Sequence, residues 1–261
     1  MKKLKNIYLG LILFFLYAPI AVLIVFSFNA SRSRGVWGGF TFDWYIQLFK
    51  DTRIMRALYN TLLIGVLSSL ISTLIGTMAA IGINNMKRKT RKVVMNITNI
   101  PVFNPDVVIG VSLMLLYVTF FSIFRQGELG FATLLISHIS FSIPYIILSV
   151  LPKLRRLNKS LYEAAVDLGA KPTYAFFKVV LPEIMPGILT GAILAFTMSI
   201  DDFLVSFFTT GPGANTLSVV IFSMARRGVN PTINALSTLM LLVVLILLYI
   251  INRRDKKQLL E

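Results

Sequence analysis

The sequence predicts an all-α membrane protein with about six transmembrane helices. Of its 261 residues, 56% are hydrophobic and only 14% are charged, whereas a soluble globular domain averages about 25% charged. Six apolar stretches approach the ~20 residues that a helix needs to cross a bilayer core. Lys and Arg gather in alternate connections between those stretches, which is how a multi-pass chain marks its sides. No Gly/Ser-rich linker, low-complexity tract or internal repeat interrupts the pattern, so one membrane domain is expected. Cysteine is absent and histidine occurs once, which excludes disulfides, thiol chemistry and any multi-His metal site within the chain.

The first stretch, near residues 9–28, follows Lys2, Lys3 and Lys5. Its apolar run is longer than a usual signal-peptide core and no clear A-x-A site follows, so it reads as an uncleaved helix. Next comes a segment near 29–58, with Phe42, Trp44, Tyr45, Ile46 and Phe49 set among polar residues. Aromatic residues in that setting suit an amphipathic piece lying at the membrane surface. Further spans are expected near 59–83, 105–124, 129–151, 185–209 and 233–251. Pro144 falls inside the fourth, where a membrane helix tolerates it if neighbours satisfy the carbonyl it leaves unpaired. The expected divisions are an N-terminal helix with its external segment over 1–58, a membrane core over 59–251 with a cytoplasmic loop at 152–184, and a basic tail at 252–261.

Net charge is +15, which raises the question of nucleic acid. The N-terminus, the second and fourth loops and the C-terminus together hold eighteen Lys and Arg, and the opposite side holds eight. That bias places both termini in the cytoplasm. The positive charge is topological, and no nucleic-acid partner is expected.

The most informative connection runs from Lys159 to Pro182. Ser160 with Glu163 three residues on has the spacing of a capping box. Gly169 is placed to end that helix in the left-handed conformation, and Pro172 to prevent its resumption. A second short helix is expected over 173–180, with Pro182 stopping it. Leu161, Ala164, Ala165 and Leu168 recur at helical spacing, which leaves more apolar surface than a plain connector needs. The segment reads as a docking knob for a soluble partner. Glu163-Ala164-Ala165, with Asp167 and Gly169 following and Leu181-Pro182 beyond, resembles the EAA motif of binding-protein-dependent ABC importer permeases. The resemblance begins near Tyr59-Asn60-Thr61-Leu62 and runs through the last span. It implies a type I importer (MetI-like) permease fold, with these residues forming the helix that seats on a separate ATPase.

Eleven residues are acidic, and Asp106, Asp201 and Asp202 alone fall at membrane depth. Each ionised Asp near a helix centre costs roughly 2.5–3.5 kcal/mol on insertion scales, so such residues normally face a cavity, a partner charge or a pathway. No Lys or Arg lies inside a predicted span, which favours a cationic substrate. Asp106 admits two readings. Asn104-Pro105-Asp106 is a plausible helix start, with Asn as cap, Pro first and Asp favoured by the dipole; alternatively Asp106 faces the pathway. Phe203, Phe207, Phe208, Tyr117 and Phe222 are candidate aromatic faces for a cation, each worth about 0.5–2 kcal/mol. His138 reads as a neutral hydrogen bonder between packed helices.

Pro105 to Gly110, Ser199-Ile-Asp201-Asp202-Phe203, Thr209 to Gly213, Asn215-Thr-Leu217 and Ile221 to Leu236 are similar to spermidine/putrescine permease subunits. The length and short basic tail suit the second, C-type subunit. The resemblance implies a polyamine substrate, a B-type permease partner, two copies of a cytoplasmic ATPase that binds the ATP and magnesium, and an external polyamine-binding protein. The chain itself would need no cofactor, and would sit in a bacterial cytoplasmic membrane. The same fold carrying another solute, of iron, phosphonate or thiamine type, is the alternative. A secondary carrier would have no use for the docking loop, and the chain has no P-loop, H-E-x-x-H or G-x-S-x-G for an enzyme reading.

Overall fold

The computed structural model describes residues 2–32, 36–226, 231–242 and 245. Arg34, Arg227, Gly228, Val229, Asn230 and the tail cations Arg253, Arg254, Lys256 and Lys257 lie outside the described residues, as does most of the expected sixth span beyond Leu242. Five described helices are long and apolar enough to cross a membrane, and the helix Pro231–Leu242 occupies the start of the sixth. The chain divides into two compact units, residues 1–56 with 220–261 and residues 57–219.

The first unit opens with α1 (Lys2–Ser27), which runs through Pro19. The chain then folds back on itself at Asn29, which pairs with Phe40 in an isolated antiparallel bridge. Asn29 organises this turn with its amide. Nδ2 donates to the Val36 carbonyl at 2.9 Å, and Oδ1 accepts the Gly38 amide at 2.8 Å. The Asn29 carbonyl accepts Trp44 Nε1 at 2.7 Å. Trp44 lies in the first turn of α2 (Asp43–Lys50), where Trp44 and Leu48, four residues apart, are buried. Ile46 and Phe49 stand exposed on the same helix, which gives it the amphipathic character that the sequence predicts. Phe28, Phe40, Phe42 and Tyr45 stack around the turn with centroids 5.1–6.1 Å apart. Asp51 caps the next helix, α3 (Thr52–Asn84), by accepting the amide of Arg53 at 2.9 Å.

The second unit takes up α3 from Ala57 and adds α4 (Arg88–Phe103), α5 (Asp106–Phe124) and α6 (Phe131–Arg156). After α7 (Lys159–Asp167) and α8 (Pro172–Ala175), a π-helical turn, Phe176–Val180, leads into α9 (Leu181–Asp201). The short α10 (Leu204–Thr209) follows, and α11 (Leu217–Arg226) starts in this unit; Pro231–Leu242 is α12. The core lies where α6 meets α9, with Ile146, Ile147, Val150 and Leu154 against Ile184 and Ala195. Lipid gives apolar side chains no reason to leave it, so close backbone approach must supply the contact. Gly187 and Gly191 provide it: a Cβ on Gly187 would lie 2.9 Å from the Ser149 carbonyl, and one on Gly191 3.2 Å from Ile146 Cα. Ser149 Oγ adds a bond to the Gly187 carbonyl at 2.9 Å.

Four expectations about element ends are corrected. The helix after Lys159 is capped by Asn158, whose Oδ1 accepts the Ser160 amide at 3.1 Å, so Ser160 and Glu163 form no capping box. Ser160 spends its hydroxyl on the same Oδ1, at 2.6 Å. Pro172 and Pro182 do not bar helix. Pro172 is the first residue of α8, and helix continues to Asp201. A proline at 182 lacks an N–H and would crowd the carbonyl four residues back. The π turn relieves this by moving the register, so that the Leu181 amide donates to the carbonyl of Phe176, five residues back. Asn104 closes α4, which runs through Pro101, and Pro105 precedes α5. Asn104 is therefore no cap for Asp106, although Asp106 does occupy the first turn of α5. The fifth span ends at Asp201, not near Thr209.

Candidate functional site

The break in the fifth span shapes the site. Nothing in Ile200-Asp201-Asp202-Phe203 is a glycine or proline, and yet α9 stops at Asp201 and Asp202 turns extended, with φ −63° and ψ 129°. The carboxylate of Asp202 replaces the lost helical bonds. Oδ2 accepts the Ser206 amide at 2.7 Å and Oδ1 the Val205 amide at 3.2 Å, which caps α10 at its positive end. The Asp202 side chain is 8% exposed, and its Oδ2 lies 3.6 Å from His138 Nε2 on α6.

Asp201 and Asp202 border one cavity of about 340 Å³ together with Asp106 from the start of α5. Asp201 is exposed there, unlike its neighbour. Phe141 and Tyr145, one turn apart on α6, and Phe203 at the break supply aromatic surface. Met198, Ile109 and Pro101 supply apolar surface, and none of the described lining residues is Lys or Arg. Three carboxyl groups and three aromatic rings around one opening, without a balancing cation, make a place for an organic cation.

Of the residues singled out from sequence, the structure brings Asp106, Asp201, Asp202 and Phe203 together. Tyr117 stands apart: it is buried, and its hydroxyl bonds Ser137 Oγ at 3.0 Å. Phe222 belongs to the other compact unit, where the Arg226 guanidinium lies 5.7 Å from its ring centroid. Tyr145 and Phe141 were not among the predicted residues. Their spacing of four on one face of a span was the available signal, and core packing explains such spacing equally well.

The loop between the fourth and fifth spans has its own geometry. Helix α7 ends in a Schellman motif: Gly169 takes φ +88°, its amide donates to Val166, and the Ala170 amide reaches back to the Ala165 carbonyl at 3.1 Å. Glu163, Ala164, Asp167 and Gly169 are exposed, and Leu168 is 89% exposed at the tip. Glu163 and Tyr162 also border a cavity of about 320 Å³ with Asn84 and Asn85 at the end of α3. A hollow of about 540 Å³ runs past Ala165, Leu168 and Tyr174. Leu181 and Pro182 lie at the start of α9, continuous with the loop.

The family model of the binding-protein-dependent transport system inner membrane component matches residues 72–254. The chain is 38% identical to the putrescine transport system permease protein PotI of Escherichia coli (strain K12) over 250 residues, 94% of this chain and 89% of the relative. It is 36% identical to the spermidine/putrescine transport system permease protein PotC of the same strain over 246 residues, 94% and 91% of the two chains. Among solved structures, a bacterial ABC transporter that imports the acidic polysaccharide alginate superposes with a TM-score of 0.75 at 21% identity, covering 97% of this chain and 95% of that one. The inward-facing methionine transporter MetNI superposes with a TM-score of 0.59 at 19% identity, covering 77% and 94%.

Proposed function

The chain belongs to the binding-protein-dependent transport inner-membrane components, the permease subunits of ABC importers, and from that membership we propose that it moves polyamine cations past Asp201. The observation that carries this reading is the cavity where Asp106, Asp201 and Asp202 converge with Phe141, Tyr145 and Phe203. Its relatives at 36–38% identity are putrescine and spermidine permeases, so substrate chemistry and site chemistry agree. Ammonium groups are drawn to the carboxylates, and the methylene segments between them suit Met198, Ile109 and the aromatic faces. Asp201 is the principal contact because it is exposed to the cavity, while Asp202 spends both oxygens on α10.

The remaining parts of the reading follow the same logic. A B-type permease supplies the other half of the pathway, and an external polyamine-binding protein delivers the substrate. ATP and magnesium are bound by two copies of a cytoplasmic ATPase, which seats on the exposed face of α7. Its movement passes through Glu163, Gly169 and Leu181-Pro182 into α9, whose far end is Asp201. Both termini lie in the cytoplasm of a bacterial cell.

Labelled spermidine uptake in membranes carrying the whole transporter tests the substrate contact. Asp201→Asn keeps the shape and removes the charge. Loss of one ion pair in a partly dry site is worth about 1.5–3 kcal/mol, so KM rises roughly ten- to hundredfold. Recovery of the ATPase with the variant stays at the parent level. Parent-like uptake by Asp201→Asn overturns the assignment.

A further inference from the structure

A buried row of polar side chains behind the cavity takes no part in the reading above. His138, on α6, is 0% exposed, and its ring touches both elements that flank the helix break. Nδ1 lies 2.6 Å from Ser199 Oγ on α9, and Nε2 lies 3.0 Å from Ser206 Oγ on α10. Ser199 in turn accepts a bond from Ser68 Oγ on α3 at 3.2 Å. A neutral imidazole has one N–H and one bare nitrogen, so the ring donates to one of the two serines and accepts from the other. One neutral ring thus joins four helices, donating on one side of the break and accepting on the other.

We propose that His138 is a positioning residue for transport: by holding Ser199 and Ser206 it fixes the bend at Asp202–Phe203, and so fixes where Asp201 stands in the cavity. The physical need is clear from the local sequence. An uninterrupted helix is the default for Ser199 to Thr209, since no glycine or proline breaks it. The Asp202 cap supports the start of α10 but does not set the direction in which α10 leaves α9. A ring bonded to both sides does. Gln reaches a similar distance with one donor and one acceptor, while Ala offers neither.

The proposal rests on Asp201 as the ammonium contact only for its transport consequence, and the bend itself is read separately. The chain contains no cysteine, so Met198→Cys places one thiol on the cavity wall and Leu168→Cys places one at the remote loop tip. Labelling rates with a small charged thiol reagent are measured in membranes carrying the whole transporter, alongside spermidine uptake. In the Met198→Cys background, His138→Ala changes the labelling rate by about fivefold or more, and the Leu168→Cys rate stays constant. In the cysteine-free chain, His138→Ala raises KM about tenfold, the equivalent of one or two buried hydrogen bonds, with Vmax within about twofold. His138→Gln restores both. If His138→Ala is not recovered in membranes, Ser206→Ala, which removes only the Nε2 partner, is read in the same way. An unchanged Met198→Cys rate in the recovered variant overturns the proposal. So does a His138→Gln variant as defective as His138→Ala. An altered labelling rate in His138→Ala, set beside parent-like uptake in Asp201→Asn, upholds the bend and rejects the substrate contact.

Discussion

Asp201 and Asp202 are chemically identical neighbours that the fold turns to different ends. At membrane depth a carboxylate must be compensated, and the two find different solutions: Asp202 takes two backbone amides, and Asp201 opens on the cavity. Replacing them should therefore separate transport from stability. Asp202→Ala removes a helix cap, an effect of about 0.5–2 kcal/mol, and should lower the thermal midpoint of the detergent-purified complex. Asp201→Ala should change stability by no more than about 0.5 kcal/mol and so leave that midpoint close to the parent's, as expected away from packed or capped positions. Equal losses of thermal stability in both would contradict the division of labour. From the sequence, the cost of the two acids was legible but their division was not. It is decided by α6, through a histidine 61 positions from Ser199, and local spacing contains no trace of that contact. Tyr145 escaped notice for the related reason that its partners on the cavity wall come from α5 and α9.

At the scale of elements, two glycines do different work. Gly169 holds φ +88° with nothing near its missing side chain, so Gly169→Ala costs backbone strain of about 1–2 kcal/mol without a clash. That strain should fray the end of α7 and reduce ATPase recovery with the purified complex, while transporter abundance in the membrane holds. Gly191 has ordinary backbone and no room, so Gly191→Leu forces α6 and α9 apart and should lower abundance itself. Leu189→Ala, on the exposed side of the same helix, serves as the control expected to change neither. Parent-level abundance of Gly191→Leu would mean that the α6–α9 contact is looser than its geometry. Periodicity and stop signals did reveal five of the spans, the amphipathic α2 and Gly169 as the end of α7. They misplaced the ends because a terminator is only conditional. Asn158 and Ser160 are both good caps and only one can act, and Pro182 is a stop signal that one π turn absorbs.

For the whole molecule, charge and fold make a joint statement about sidedness. Eighteen Lys and Arg on one side against eight on the other predict an orientation, because cytoplasmic loops retain positive charge. On that predicted orientation α7 should face the cytoplasm and the turn at Asn29 should face outward. The cysteine-free sequence again makes the test direct. Trp37→Cys, on the exposed outer turn, should react with a membrane-impermeant maleimide in sealed right-side-out vesicles. Leu168→Cys, at the exposed tip of the docking loop, should react only after detergent opens them. The reverse pattern would put the docking loop outside, where no ATP-hydrolysing partner could reach it, and would remove the coupling role of Glu163 and Gly169 with it. Labelling of both in sealed vesicles would likewise break the topology, since the two sites are separated by three spans, an odd number, and must lie on opposite faces.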